Sequence, residues 1–211
     1  MQTKPYDIIT EADARVLEPG STVYLAPGGH ITPLAQDTLR ARRIVVLSAD
    51  AASAAAGSLV PVADVRRVAI GADHAGLELK QALDGWLRAR GLFVEDYGVH
   101  DKAPADYPDI AAMVARSVAR AEADAGIVID GAGLGSAIAA NKIVGIRAAM
   151  CVNETLARYG REHNGANVLT LGATLVSTEQ AREIVTRFIE TPMREPRYIA
   201  RLAKIARLEE R

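Results

Sequence analysis

A single cysteine in 211 residues, Cys151, excludes an intrachain disulfide and points to a reducing compartment. The four histidines, His30, His74, His100 and His163, stand far apart with no CxxC or HExxH spacing, so no structural zinc is expected. Aromatic residues make up only 4% of the chain. That argues against the stacking platforms on which single-stranded nucleic acids bind. Neither sign of charge dominates: 25 Lys and Arg against 26 Asp and Glu leave a formal net charge of −1. No bulk field recruits nucleic acid or an anionic membrane. Long apolar runs are missing too. Nothing approaches the roughly 18 residues of a membrane helix, and the first residues carry Lys4, Asp7, Glu11 and Asp13 instead of a signal sequence. A cytoplasmic protein is expected.

What remains is an ordinary globular composition, 49% hydrophobic and 24% charged, with a core that must be aliphatic. The stretch Ser48–Ser58, SADAASAAAGS, is small, nearly uncharged and unpatterned. It reads as a linker, with an Ala-rich helix as the rival. The chain therefore divides into an N-terminal extension at 1–48, a linker at 49–65 and a main domain at 66–211. In the extension, Thr10 and Asp13 signal a short capped helix toward Leu17. Ser21–Ala26 and Ile44–Leu47 read as strands, and Thr32-Pro33 as the N-cap and first residue of a helix over Leu34–Arg42.

After the linker, apolar runs of four to six residues alternate with amphipathic stretches, the pattern of βαβ units. Strands are predicted at Val68–Gly71, Leu92–Asp96, Ala125–Asp130, Arg147–Val152 and Val168–Gly172. Helices fall at Leu77–Arg90, Asp109–Ala121, Ser136–Lys142, Glu154–Glu162, Thr178–Glu190 and Arg197–Glu210. The expected fold is α/β: a Rossmann-like three-layer sandwich with a five-stranded parallel sheet, plus a small N-terminal α/β extension.

Ligands of such sheets bind outside the C-terminal ends of the strands. The sequence there reads Ala72-Asp73-His74-Ala75-Gly76 after the first strand of the main domain and Asp130-Gly131-Ala132-Gly133-Leu134-Gly135-Ser136 after the third. Arg161-Glu162-His163-Asn164 closes a helix before the last strand, and the expectation is that all three segments meet on one rim. The glycine loop opens a helix, where backbone N–H groups favour an anion or a developing oxyanion. A dinucleotide fingerprint would need Gly at 136, where Ser stands, so nicotinamide is not expected. Each piece has a plainer reading as well: the loop as a tight turn, Asp73 as a helix cap, His163 as a surface residue. His30 and His100 are left as surface residues.

These segments resemble the ribose-5-phosphate isomerase B family, which includes the galactose-6-phosphate isomerase subunits. The resemblance rests on AIGADHAGLELK (69–80), DYPDIA (106–111), GIVIDGAGLGSAIAANKIVGIRAA (126–149), REHNGANVLTLGA (161–173) and REPRYIARLAKI (194–205). It implies an aldose–ketose isomerase of a phosphorylated sugar, ribose 5-phosphate to ribulose 5-phosphate first, acting without metal or cofactor. It also implies a homodimer or dimer of dimers whose sites combine residues of two subunits. By position, Asp73 and His74 resemble the pair that binds and opens the sugar ring, and Tyr107 a substrate contact. His163 resembles the ring-opening acid, Asn164 a hydrogen-bond partner, and Gly131, Ala132, Gly133, Leu134, Gly135 and Ser136 the enediolate cradle. Arg197 and Arg201 resemble phosphate-gripping arginines that reach the neighbour's site. Their spacing of four puts both on one helix face.

The sequence departs from this family at three positions. The family's proton-shuttling base is Cys at the position of Asp130 or Glu at that of Ser136; a threonine is replaced by Ala132 and a third phosphate arginine by Thr174. Asp130 is the expected base. Two alternatives stay open: a non-catalytic sugar-phosphate binding or assembly module, and an isomerase of a tetrose or hexose phosphate. The run ARVLEPGSTVYLAPGGHITPLAQDTL (14–39) resembles an N-terminal segment of some bacterial microcompartment enzymes. That implies docking to, or encapsulation in, a microcompartment shell.

Overall fold

A computed structural model describes residues 5–48 and 59–209. The chain forms two compact units, Met1–Ser58 and Leu59–Arg211. The division falls inside the expected linker, most of which lies outside the described residues. No helix among the described residues is long and apolar enough to cross a membrane.

The first unit runs β1 (Tyr6–Ile9), α1 (Glu11–Val16), β2 (Thr22–Ile31), α2 (Pro33–Ala41) and β3 (Val45–Ser48), with a parallel sheet in the order β1-β2-β3. Thr10 and Asp13 cap α1 reciprocally, as their spacing predicts. Pro33 does open α2, but the Thr32 side chain makes no capping bond there. The expectation missed β1, and it ended β2 at Ala26. Pairing slips between Tyr6 and Ile8, opposite Leu25 and His30, so the intervening Pro27-Gly28-Gly29 bulges and the strand resumes beyond it. Ile9, Val23, Leu25, Ala35, Leu39 and Ile44 are among the residues of a core of its own.

The second unit runs β4 (Arg67–Ala72), α3 (Leu77–Ala89), β5 (Phe93–Asp96), α4 (Tyr107–Ala119), β6 (Ala125–Asp130), α5 (Leu134–Ala140), β7 (Ala148–Met150), α6 (Glu154–Asn164), β8 (Val168–Gly172), α7 (Thr178–Glu190) and α8 (Pro196–Ala206). All pairings of its five-stranded sheet are parallel, in the order β5-β4-β6-β8-β7. Side chains alternate between the two faces. Val68, Ile70, Ile127, Ile129, Leu169 and Leu171 pack under α3, α6 and α7. Ala69, Val128 and Val168 meet α4 and α5 on the other side. There the strands carry glycine because α4 lies so close: a Cβ on Gly71 would stand 2.7 Å from Ile110 Cγ2, and one on Gly126 2.8 Å from Val114 Cγ1.

The chain leaves β4 for β5 on one side and returns to β6 on the other. The sheet's topological switch point therefore lies between the C-terminal ends of β4 and β6.

Candidate active site

Asp73 follows β4 and Asp130 ends β6, so both flank this switch point. Their strand ends are tied together by the Asp73 N–H, which donates to Ile129 O at 3.2 Å. Asp73 Oδ1 accepts from the N–H groups of Ala75 (2.9 Å) and Gly76 (3.1 Å), at the mouth of α3. His74 Nδ1 accepts from the Ala105 N–H at 3.3 Å. Nδ1 is then unprotonated, and the neutral ring carries its proton on Nε2. Ala105 belongs to the loop after β5, which is held by Lys80: its buried ammonium contacts Asp96 Oδ2 at 2.6 Å and Val99 O at 2.8 Å. Tyr107, at the start of α4, lays its ring over the glycine loop. A Cβ on Gly135 would be 2.5 Å from Tyr107 Cζ, so only glycine admits the ring there.

The loop between β6 and α5 is built around the Asp130 carboxylate. Oδ1 accepts from Ala132 N–H at 2.8 Å and from Gly133 N–H. Oδ2 accepts from Ser136 N–H at 3.0 Å and from Ser136 Oγ–H. Burial raises the affinity of this carboxyl for a proton, but the Ser136 hydroxyl and the N–H groups of Gly133, Ser136 and Ala132 outweigh it, and the pKa lies below the ordinary carboxylate value. Gly133 sits at φ +76° and packs backbone to backbone on Leu171 and Gly172. Thr170 Oγ1 donates to Gly133 O at 2.8 Å and Thr174 Oγ1 to Gly131 O at 2.6 Å, fastening the loop to β8 and the turn after it.

This geometry argues against the base role expected of Asp130. A carboxylate offers about four lone-pair sites, and all four here are taken by its own loop. With a lowered pKa and no free lone pair, it is ill suited to take a proton from carbon. It also occupies the N–H groups of Ala132, Gly133 and Ser136 that were expected to cradle an enediolate.

A correction concerns His163 and Asn164. They end α6, and β8 begins at Val168. In a parallel sheet the residues before a strand lie at its N-terminal edge, opposite the rim that carries Asp73 and Asp130. Five residue steps of β6 put the two edges about 17 Å apart, with the packed core between them. At this second edge His163 lies between Tyr159 (ring centroids 4.7 Å apart) and Tyr198 of α8 (4.5 Å). The guanidinium carbons of Arg197 and Arg201 stand 4.8 and 5.8 Å from the Tyr198 ring, so both cations share one aromatic neighbour with the imidazole. Arg197 also donates to the Tyr198 hydroxyl at 3.0 Å. An imidazole beside two guanidinium groups suits a phosphorylated ligand with a group to be protonated.

The corner behind His163 is braced by two arginines, a role that nothing in their sequence spacing announces. Arg161, 1% exposed, donates to Ala166 O (2.9 Å) and Val62 O (2.7 Å). Arg147 donates to Gly165 O (2.7 Å) and Leu59 O (2.8 Å). Desolvation, with Arg147 nearby, lowers the Arg161 pKa to about 10. Tyr198 was missed too, although its place between Arg197 and Arg201 on one helix was a legible signal.

One parallel α/β unit thus presents a carboxylate–imidazole–glycine-loop cluster at one edge and an imidazole–arginine cluster at the other. Residues 68–205 match the family model for ribose/galactose isomerases. The chain is 39% identical over 147 residues to ribose-5-phosphate isomerase B of Escherichia coli, covering 70% of this chain and 99% of the relative. It is 37% identical over 124 residues to a D-erythrulose-4-phosphate isomerase of Pectobacterium atrosepticum, 58% of this chain and 82% of that one. The solved ribose-5-phosphate isomerase B of Clostridium thermocellum superposes with a TM-score of 0.67 at 44% identity, over 68% of this chain and 97% of that one. The protein belongs to the ribose/galactose isomerase family and is an aldose–ketose sugar-phosphate isomerase.

Proposed function

We propose that the protein interconverts ribose 5-phosphate and ribulose 5-phosphate at sites shared between two copies of the chain. The observation that carries this reading is the separation of the two half-sites across one sheet. No ligand touching Asp73 and His74 reaches His163, Asn164, Arg197 and Arg201 of the same chain through the core. A second copy, turned so that its imidazole–arginine edge faces the first copy's rim, completes both sites at once by two-fold symmetry. Exposed apolar residues flank each half: Leu134 and Ile138 on α5 beside the rim, and Tyr159 on α6 against His163. Such surface is what a stable partner covers.

In this arrangement the partner's Arg197 and Arg201 grip the phosphate and the partner's His163 protonates the ring oxygen as the furanose opens. Asp73 and His74 hold the other end of the sugar. Thr174, at the position of a third phosphate arginine in the family, is engaged with Gly131, and in this reading the phosphate is held by the partner's Arg197 and Arg201. The N-terminal unit, with its separate core, supplies none of these groups and serves as the docking element for a microcompartment shell.

Subunit complementation tests the reading. His74→Ala and His163→Ala are each expected to be inactive on ribose 5-phosphate. Co-refolded in equal amounts, they give half heterodimers, each with one intact site, and recover about a quarter of wild-type activity. No recovery in heterodimers shown to form refutes the shared site.

A further inference from the structure

Three aspartates stand at or just after the C-terminal ends of neighbouring strands, and the structure treats them differently. Asp130 has every lone pair engaged. Asp96 gives Oδ1 to the Gly98 N–H and Oδ2 to the Lys80 ammonium. Asp73 binds two N–H groups through Oδ1 alone. Among the described residues Oδ2 of Asp73 has no donor, and it is not one of the solvent-sealed side-chain atoms that lack a partner. The residue is nonetheless 6% exposed, held by its own Oδ1 bonds and by the N–H bond to Ile129. One oxygen thus fixes the side chain and the other is left open at the switch point, beside the glycine loop: Ala75 Cβ lies 4.0 Å from where a Gly131 Cβ would be.

Aldose–ketose isomerisation needs a base beside C1 and C2 of the open-chain sugar and a donor for the oxygen that gains charge. We propose that Asp73, through Oδ2, is the group that carries the proton between C2 and C1. This inference rests on the isomerase reading. Oδ2 takes the C2 hydrogen as a proton, and the electron pair of that bond forms C1=C2 while charge passes to O1. The proton on O2 moves to O1. Protonated Asp73 then delivers its hydrogen to C1 as C2=O2 forms, so no external oxidant or reductant enters. The Nε2–H of His74, next in the chain, is the donor available to O1. Asp130 shapes the loop from behind and touches no reacting atom.

Asp73→Asn provides the test, because Asn retains Oδ1 for the Ala75 and Gly76 N–H groups and replaces only the open oxygen. Ribulose 5-phosphate is the probe: its C5 oxygen carries the phosphate, so it cannot close a furanose ring, and ring opening drops out of the measurement. Conversion to ribose 5-phosphate and deuterium uptake at C1 are followed by NMR in D2O. The expected result is a loss of at least ~100-fold in both readouts for Asp73→Asn, with a native circular dichroism spectrum. Wild-type uptake in Asp73→Asn would confine Asp73 to the sugar ring and overturn the proposal. A wild-type protein inactive on both sugars overturns the isomerase reading itself, a different failure.

Discussion

Replacing Asp130 with Asn separates a loop-organising carboxylate from a catalytic one. The side chain accepts four hydrogen bonds, two at each oxygen. An amide offers one oxygen and one NH2. Whichever way it turns, two donors lose their acceptor, and the remaining bonds lose the charge that strengthens them. At about 1.5 kcal/mol for each lost bond to a charged acceptor, Asp130→Asn should cost about 3 kcal/mol. For a unit of this size that lowers the melting temperature by about 6 to 12 °C. The pH dependence has a definite sign. The folded-state pKa is depressed: burial opposes the charge, but the Ser136 hydroxyl and three backbone N–H groups prevail. The stabilisation is therefore complete above the unfolded value of about 3.9 and is lost as pH falls through the lower folded value. Urea unfolding of the two proteins should differ most at neutral pH, and the difference should begin to shrink only as pH falls below about 4. A mutant as stable as the wild type at pH 7 would show that the carboxylate is not committed to its loop, and the base role would return to it.

Gly135→Ala should push the Tyr107 ring off the glycine loop, since the new Cβ meets Cζ at 2.5 Å. Steady-state kinetics should show kcat/KM lower by about 10- to 100-fold, the scale of a misplaced contact; unchanged kinetics would remove Tyr107 from the site. Cys151 is 1% exposed, and burial pushes its thiol up to about 12. It should therefore resist a thiol reagent at pH 8 in the native protein and react only on unfolding; rapid native labelling would contradict the packing of β7 on β8.

The strands and helices of the second unit were legible because parallel strands buried on both faces read as short apolar runs. Val68–Gly71, Ala125–Asp130 and Val168–Gly172 needed little beyond that signal. The half-site residues were legible as residue types. Their environment was not. Asp130 looks in sequence like a base at a strand tip, and nothing local says that Gly133 at positive φ turns the loop back so that three N–H groups and a hydroxyl close on the carboxylate. Bonds over such short spacings depend on the turn, and the turn depends on Gly133 and Gly172 meeting across β6 and β8. In the first unit, the strand-like run was read over Ser21–Ala26 only, although the ladder steps over Pro27-Gly28-Gly29 and continues.

His163 was misplaced for a different reason, one that sequence alone could have corrected. A segment that follows a strand lies at the C-terminal edge, and a segment that precedes one lies at the N-terminal edge, in any parallel sheet joined by helical crossovers. Asp73 and Asp130 belong to the first kind; His163, Asn164 and, through the packing of Leu202 on Gly165, the whole of α8 belong to the second. Applied to this chain, the rule separates the two carboxylates from His163 and Asn164 before any coordinates are seen, and the packing of α8 then adds the arginines to the second edge. The site shared between copies, proposed above, follows this topology: Asp73 and His74 stand at one edge of the sheet, and His163 and the arginines of α8 at the other.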